Sequence, residues 1–201
     1  TEDGQHLYVE IIQTGQSLTS VLYPILKQAL KRLPITRSMR WGDHQASFVR
    51  PVHWLVVLFG KQIIAGQLFE QAAGKQTRGH RVHAPGPHTI SHSDDYEKLL
   101  QSAFVLVDPE YRKASIQQQI ETLEKELGMR ALIDKDLLNE VNNMVEWPRA
   151  LVGSFDADFL EVPAEALISS MQSHQKFFPL LENEDKQQLV NRFITISNLE
   201  S

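Results

Sequence analysis

The chain has 201 residues, 42% hydrophobic and 22% charged, with a formal net charge of −5; such a balance describes a folded chain with a real core and excludes a disordered polyelectrolyte. The absence of Cys excludes disulfides, thiolate zinc sites and cysteine nucleophiles, and fits a reducing compartment. The longest apolar run, residues 54–59, is too short for a bilayer span, so no membrane partner is expected.

In chain order, residues 7–12 alternate loosely and predict a strand. Residues 18–33 carry Leu18, Val21, Leu22, Ile25, Leu26, Ala29, Leu30 and Leu33 at helical spacing, with Ser17 as N-cap. Pro24 inside this pattern predicts a kink or restart. Lys27, Lys31 and Arg32 fall near the helix C-terminus, where cations suit the dipole. Residues 48–60 read as one strand, apolar on both faces in its second half and therefore central in a covered sheet. Gly60-Lys61-Gln62 turns it into a hairpin with residues 63–69. Residues 71–76 read as a mobile loop, and Ala84-Pro85-Gly86-Pro87 as a break.

The second half turns helical. Short helices are expected over 94–102 and after Asp134 or Asp136, the latter carrying Leu137, Leu138, Val141, Met144 and Val145. Between them, residues 109–127 place Ile116, Ile120, Leu123 and Leu127 on one stripe, with Gly128 as the stop. Leu151 and Val152 predict a short strand, and Pro163 the first residue of a helix to about 173. Residues 177–181 and 189–197 read as paired strands around Asn183-Glu184-Asp185. The predicted class is α/β (α+β), a mixed sheet covered by helices. It divides into a basic, strand-rich part (1–92), an acidic helical part (93–176) and closing strands (177–201). Thr1 in place of Met, and a strand stopping just before the end, predict a piece of a longer protein.

The charge is segregated. Residues 27–92 hold ten Lys and Arg against Asp43 and Glu70, a local +8, while the rest carries −13. The same block holds six of the eight His. Such segregation points to a polyanionic partner despite the negative total. Two clusters concentrate it. Ser38-Met39-Arg40-Trp41-Gly42 and Phe48-Val49-Arg50-Pro51-Val52-His53-Trp54 interleave cations with aromatics, the pattern of phosphate forks and base stacking. The same pattern fits a buried strand with Trp in the core and Arg at sheet edges. Thr77-Arg78-Gly79-His80-Arg81-Val82-His83 is the densest polar run; Gly79 permits close backbone approach and the flanking Arg residues can clamp an anion. It fits a solvated loop as well, or Arg side chains pairing with the acidic half.

Metal and nucleophile readings are weaker. His80/His83 and His88/His92 lack helical i,i+4 spacing and the Glu of a zinc-protease motif. Gly74-Lys75 lacks the Gly and Ser or Thr of a phosphate loop, those positions holding Phe69 and Gln76. Ser170 and His174, one helical turn apart with Lys176 nearby, suggest a hydrolytic pair, but no third orienting group is evident.

Taken together, Ser38 to Gly42, Phe48 to Trp54 and Thr77 to Arg81 resemble segments of the β subunit of bacterial two-subunit glycyl-tRNA synthetases. Val145-Glu146-Trp147-Pro148, Leu151-Val152-Gly153-Ser154-Phe155 and Ile168-Ser169-Ser170-Met171-Gln172-Ser173-His174-Gln175-Lys176 extend the match. Arg192-Phe193-Ile194-Thr195 and Ser197-Asn198 close it. The resemblance implies a ligase that joins glycine to its tRNA using ATP with magnesium, as two α and two β subunits. The α subunit would carry catalysis and bind ATP. This region would hold no cofactor and no catalytic residue. Its tRNA-contacting candidates are then Arg40, Trp41, Arg50, Arg78, His80, Arg81 and Lys176. The family region is also similar to the editing-type domain of the phenylalanyl-tRNA synthetase β subunit, which keeps hydrolysis of mischarged tRNA, or a subunit-assembly role, as alternatives. Glycine being the smallest substrate, a tight pocket rejects larger amino acids by clash, so editing is the less needed function.

Overall fold

The computed structural model describes residues 14–182 and 188–200. The strand expected at 7–12 and the turn at Asn183-Glu184-Asp185 lie outside the described residues. The architecture is mixed α+β, with five α-helices and several small sheets among the described residues. The chain divides into two compact units, residues 1–75 and 76–201.

In the first unit, α1 (Leu18–Lys31) follows Ser17, which is extended at φ −68° and ψ 144°. The Ser17 hydroxyl bonds the Thr19 and Ser20 hydroxyls rather than a backbone N–H. The helix runs on through Pro24 without a restart. Both Pro24 and Ser20, whose carbonyl loses its helical donor there, are exposed, so water can replace the missing bond. Tyr23, Leu22, Leu26 and Leu30 pack with Ile64, Leu68, Leu55 and Val57. Tyr23 donates its hydroxyl to the Ile64 carbonyl at 2.6 Å, and burial raises its pKa.

The single strand expected over 48–60 does not form. Before it, β1 (Met39–Arg40) pairs antiparallel with β2 (Ser47–Phe48), and in its place stand the end of β2, β3 (Leu55–Val56) and β4 (Leu58–Phe59). Pro51 has no N–H for a ladder and restricts Arg50 before it, so pairing stops at Phe48. Nor is the apolar stretch covered on both faces, since Phe59 is 68% exposed. The turn through Gly60 does form, joining β4 to β5 (Gln62–Ile63). β6 (Gln67–Leu68) and β7 (Gln71–Gly74) follow, and β7 is the middle strand of a mixed three-stranded sheet, parallel to β3 and antiparallel to β6. Residues 71–74, expected as a mobile loop, therefore carry the sheet.

The β6–β7 turn is Phe69-Glu70, with φ at 52° and 62°. Two positive φ values match the right-handed twist of a hairpin, a role usually given to Asn-Gly. Neither residue is suited to that backbone. What holds them is tertiary: Phe69 lies 4.8 Å from the Phe48 ring, and Glu70 bonds three groups of residues 44–46.

The second unit opens with a ribbon of β8 (Gln76–Arg78) and β9 (Pro87–Thr89), followed by α2 (Tyr96–Ser102). α3 (Pro109–Leu127) begins at Asp108, whose carboxylate accepts from Glu110 N at 2.8 Å and Tyr111 N at 3.1 Å. It ends at Gly128 with φ 62°, as its sequence predicts. After β10 (Arg130–Ala131), Asp134 caps α4 (Lys135–Met144) through Leu137 N. Then come β11 (Arg149–Ser154) and α5 (Ala164–Ser170). Pro163 is the residue before α5 rather than its first, with ψ 130°. A π-helical turn, Met171–Gln175, leads to β12 (Phe178–Leu181) and β13 (Leu189–Ser197).

These four strands form one wholly antiparallel sheet in the order β10-β12-β13-β11. On one face Ile116 and Ile120 of α3 meet Leu137, Leu138 and Val141 of α4 over Phe178, Leu180 and Ile194. Met144, expected on the same stripe, is 62% exposed. In a second cluster, Phe177 and Phe193 stack at 4.2 Å and join Met171, Leu167 and Ile168. Gly153 lies opposite Phe193, and a Cβ there would stand 2.4 Å from its ring. Helix α3 also seals parts of both sheet edges. Glu124 accepts from Ala131 N on β10, while Gln119 accepts from Ala150 N on β11 and donates to the Pro148 carbonyl. Such caps satisfy edge groups that would otherwise template pairing.

Candidate nucleic-acid interface

All ten Lys and Arg of residues 27–92 are exposed. The reading of Arg50 and Trp54 as parts of a buried strand fails: Trp54 is 43% exposed and Val49 44%.

In the first unit the presenting element is the β1–β2 hairpin. Met39 pairs with Phe48 and Arg40 with Ser47. The chain reverses through Trp41, Gly42 at φ 52° and Asp43, closed by His44 N donating to the Trp41 carbonyl at 3.1 Å. Glu70 fixes this reversal from outside. One carboxylate oxygen accepts from Gln45 N and Ala46 N, each at 2.9 Å, and the other lies 2.9 Å from His44 Nδ1. The hydrogen bond to His44, helped by the two backbone N–H groups, holds the Glu70 carboxyl below its ordinary value. One of the two acidic residues of the basic block thus braces the loop that displays Arg40. Trp41 is half-buried, 5.8 Å ring to ring from His44, and its buried indole Nε1 has no hydrogen-bond partner among the described residues. Arg50 is exposed just beyond β2.

In the second unit Arg78 ends β8, opposite Pro87, and Arg81 follows at the turn; both are exposed. His80 between them is only 2% exposed, so its ring is inside the protein, not on a surface that RNA meets. Its Nδ1 accepts from Val82 N and His83 N, each at 3.2 Å, its own N–H donates to the Ala103 carbonyl at 2.9 Å, and its carbonyl takes Ala84 N. That pattern leaves the ring proton on Nε2, which has no partner among the described residues. His80 is the post around which the Arg78–Arg81 turn is wound. Gly79 serves the same end. A Cβ there would lie 2.6 Å from Ala103 Cβ and 2.8 Å from Ala103 O, so the close approach it permits is to the protein's own backbone, not to a ligand. From the buried His80 a column of partly buried rings continues, His80 to His83 at 4.7 Å, His83 to Phe104 at 5.1 Å and Phe104 to Trp147 at 5.3 Å.

Lys176 stands on a different element, just after the π-helical turn, and pairs with Glu140 of α4 at 2.8 Å. Its charge is already answered. No side-chain hydrogen bond links Ser170 to His174, and the two lie on either side of the change from α to π geometry, so the one-turn spacing expected for a hydrolytic pair is altered. Among the described residues no group of three or more His, Cys, Asp and Glu could hold a metal, and no helix is long and apolar enough to cross a membrane.

Several anchors were not among the residues that the sequence singled out as candidate contacts. Asn198 Oδ1 accepts from Glu146 N at 2.7 Å and Trp147 N at 2.9 Å, some fifty residues away. Glu200 pairs with Arg149, and its N–H donates to His83 Nε2 at 3.0 Å. Arg112 donates to the Asn142 and Leu106 carbonyls.

Comparison with known proteins gives first a class, subunits of aminoacyl-tRNA synthetases. The family model described as glycyl-tRNA synthetase beta subunit matches residues 1–201. The chain belongs to that family. It is similar to the protein named glycine–tRNA ligase beta subunit from Chromohalobacter salexigens, 44% identical over the whole chain and 29% of the relative. The proteins of the same name from Coxiella burnetii and Xylella fastidiosa are 44% and 42% identical, over 100% and 98% of the chain and 29% and 27% of the relatives. The chain thus spans less than a third of the length of these curated relatives.

Proposed function

We propose that this chain is a tRNA-contacting and scaffolding region of the β subunit of a glycine–tRNA ligase, working in the cytoplasm within an assembly of two α and two β subunits. The region supports attachment of glycine to its tRNA and takes no part in the bond-making step. ATP and magnesium belong to the α subunit in this reading. The observation that carries it is the exposure of every Lys and Arg in residues 27–92 of a chain in this family. Exposed cations contact phosphate oxygens, which fixes orientation on the nucleic acid without reading its sequence. Arg40, Arg50, Arg78 and Arg81 are the contacts proposed; His80 and Glu70 act behind them as positioning residues. Trp41, half-buried and with its nitrogen sealed, could meet RNA only through the exposed part of its ring. Lys176 contributes by holding α4 to the segment before β12.

The test is tRNA binding by the full assembly across a salt series. Each lost phosphate contact lowers the slope of log K against log salt by about 0.9 for a duplex and about 0.7 for a single strand. The double change Arg78→Ala, Arg81→Ala should therefore flatten the slope by roughly 1–2 units and weaken binding at low salt. An unchanged slope and unchanged aminoacylation would remove the proposal.

A further inference from the structure

Strand β11 carries a second interaction surface. It is an edge of the four-stranded sheet, and its ladder with β13 runs from Arg149↔Ser197 to Ser154↔Arg192. Antiparallel pairs alternate between those that exchange hydrogen bonds with the neighbour and those whose N–H and C=O point away. Ala150 N points away, since it donates to Gln119 Oε1, whereas Phe155 N points inward to Asn191 O at 3.1 Å. Val152 and Ser154 therefore face the open side, where no described residue bonds them. Gln119 closes the edge at Pro148 and Ala150 and goes no further.

The open stretch is bordered by apolar surface. Leu151 and Val152 are 40% and 39% exposed, and Phe159, Leu160 and Val162, just beyond, are 56%, 39% and 41% exposed. Residues 156–166 are exposed without exception. They hold Asp156, Asp158, Glu161 and Glu165, and no Lys or Arg occurs between Arg149 and Lys176.

We infer that this edge receives a strand from the partner subunit, one with apolar side chains at alternate positions and flanking Lys or Arg. The inference rests on the reading of the chain as part of a multi-subunit ligase. Main-chain bonds to Val152 and Ser154 supply the pairing, and the carboxylates select a basic partner. A second copy of the same strand is a poor occupant: antiparallel self-pairing centred on Val152 sets Asp158 toward Glu146, like charge to like. RNA is repelled by the same carboxylates.

The experiment uses the full-length β subunit, alone and co-purified with its α subunit, with amide exchange read at Val152 and Ser154. Both amides should exchange freely in the isolated subunit and become at least tenfold slower in the assembly. Val152→Pro removes only an outward N–H, leaving the β13 ladder intact; it should raise the dissociation constant of the subunits at least tenfold, as should Asp158→Lys with Glu161→Lys. Neither change should alter the thermal midpoint of the isolated subunit or its salt-dependent tRNA binding. Amides that stay open in an intact assembly would overturn the inference and leave the tRNA-contact proposal standing. Protection by tRNA alone, or by self-association of the isolated subunit, would overturn it too.

Discussion

Replacing Gly79 with Ala tests whether the Arg78–Arg81 turn is held by packing rather than awaiting a ligand. The added Cβ would meet Ala103 Cβ at 2.6 Å, Ala103 O at 2.8 Å and His88 Nε2 at 3.0 Å. The first two neighbours cannot retreat easily: Ala103 is 2% exposed, and its carbonyl holds His80 N at 2.9 Å. Overpacking of this kind costs about 1–3 kcal/mol, and loss of the His80–Ala103 bond adds about 1 kcal/mol. The sum is roughly 2–4 kcal/mol, a drop in thermal midpoint on the order of 10 °C for a unit of this size. Denaturant unfolding of the full-length subunit, with the midpoint and slope fitted together, measures it. tRNA binding at temperatures where the variant is folded should also weaken, because Arg78 and Arg81 flank the displaced residue. A stability loss below about 0.5 kcal/mol, the ordinary range for surface changes, would refute the packing argument.

In the first unit, Gly66→Ala would put a Cβ 2.1 Å from the Tyr23 ring; it should destabilise by about 2 kcal/mol or more, seen as loss of near-ultraviolet tyrosine dichroism at lower temperature, and a neutral result would show that α1 does not dock as described. Glu70 gives a pH dependence. Its folded-state pKa lies below the ordinary 4.5, so its stabilisation is present above that value and fades as pH falls through the folded value. Amide protection at Gln45 and Ala46 should fall in that acid range, and Glu70→Gln, which keeps an acceptor but no titrating charge, should abolish this dependence; equal acid sensitivity in both proteins would rule the brace out.

How much was legible in the sequence follows how local the cause is. Pro109 and Gly128 bound α3 as expected because helix-end signals act within four residues of themselves. Strands β12 and β13 pair as expected. The stretch over 48–60 misled because hydrophobicity reports burial tendency, whereas Pro51 decides where a ladder can run. The Phe69-Glu70 turn was invisible, since its positive φ values are stabilised by Phe48, His44 and the loop that Glu70 braces, not by its own residues. Among the candidate contacts, sequence picked out the cationic cluster at residues 78–81 but could not separate exposed Arg78 and Arg81 from buried His80.

What the sequence determined by itself was the charge segregation, the bounds of α3 and the family, because composition, capping and ordered motifs need no fold to be read. The tertiary structure decided which of those residues face solvent, that Lys176 is answered by Glu140, that Gly79 serves Ala103, and that β11 keeps an open edge. Each depends on what distant segments bring alongside, and side-chain periodicity carries no record of that.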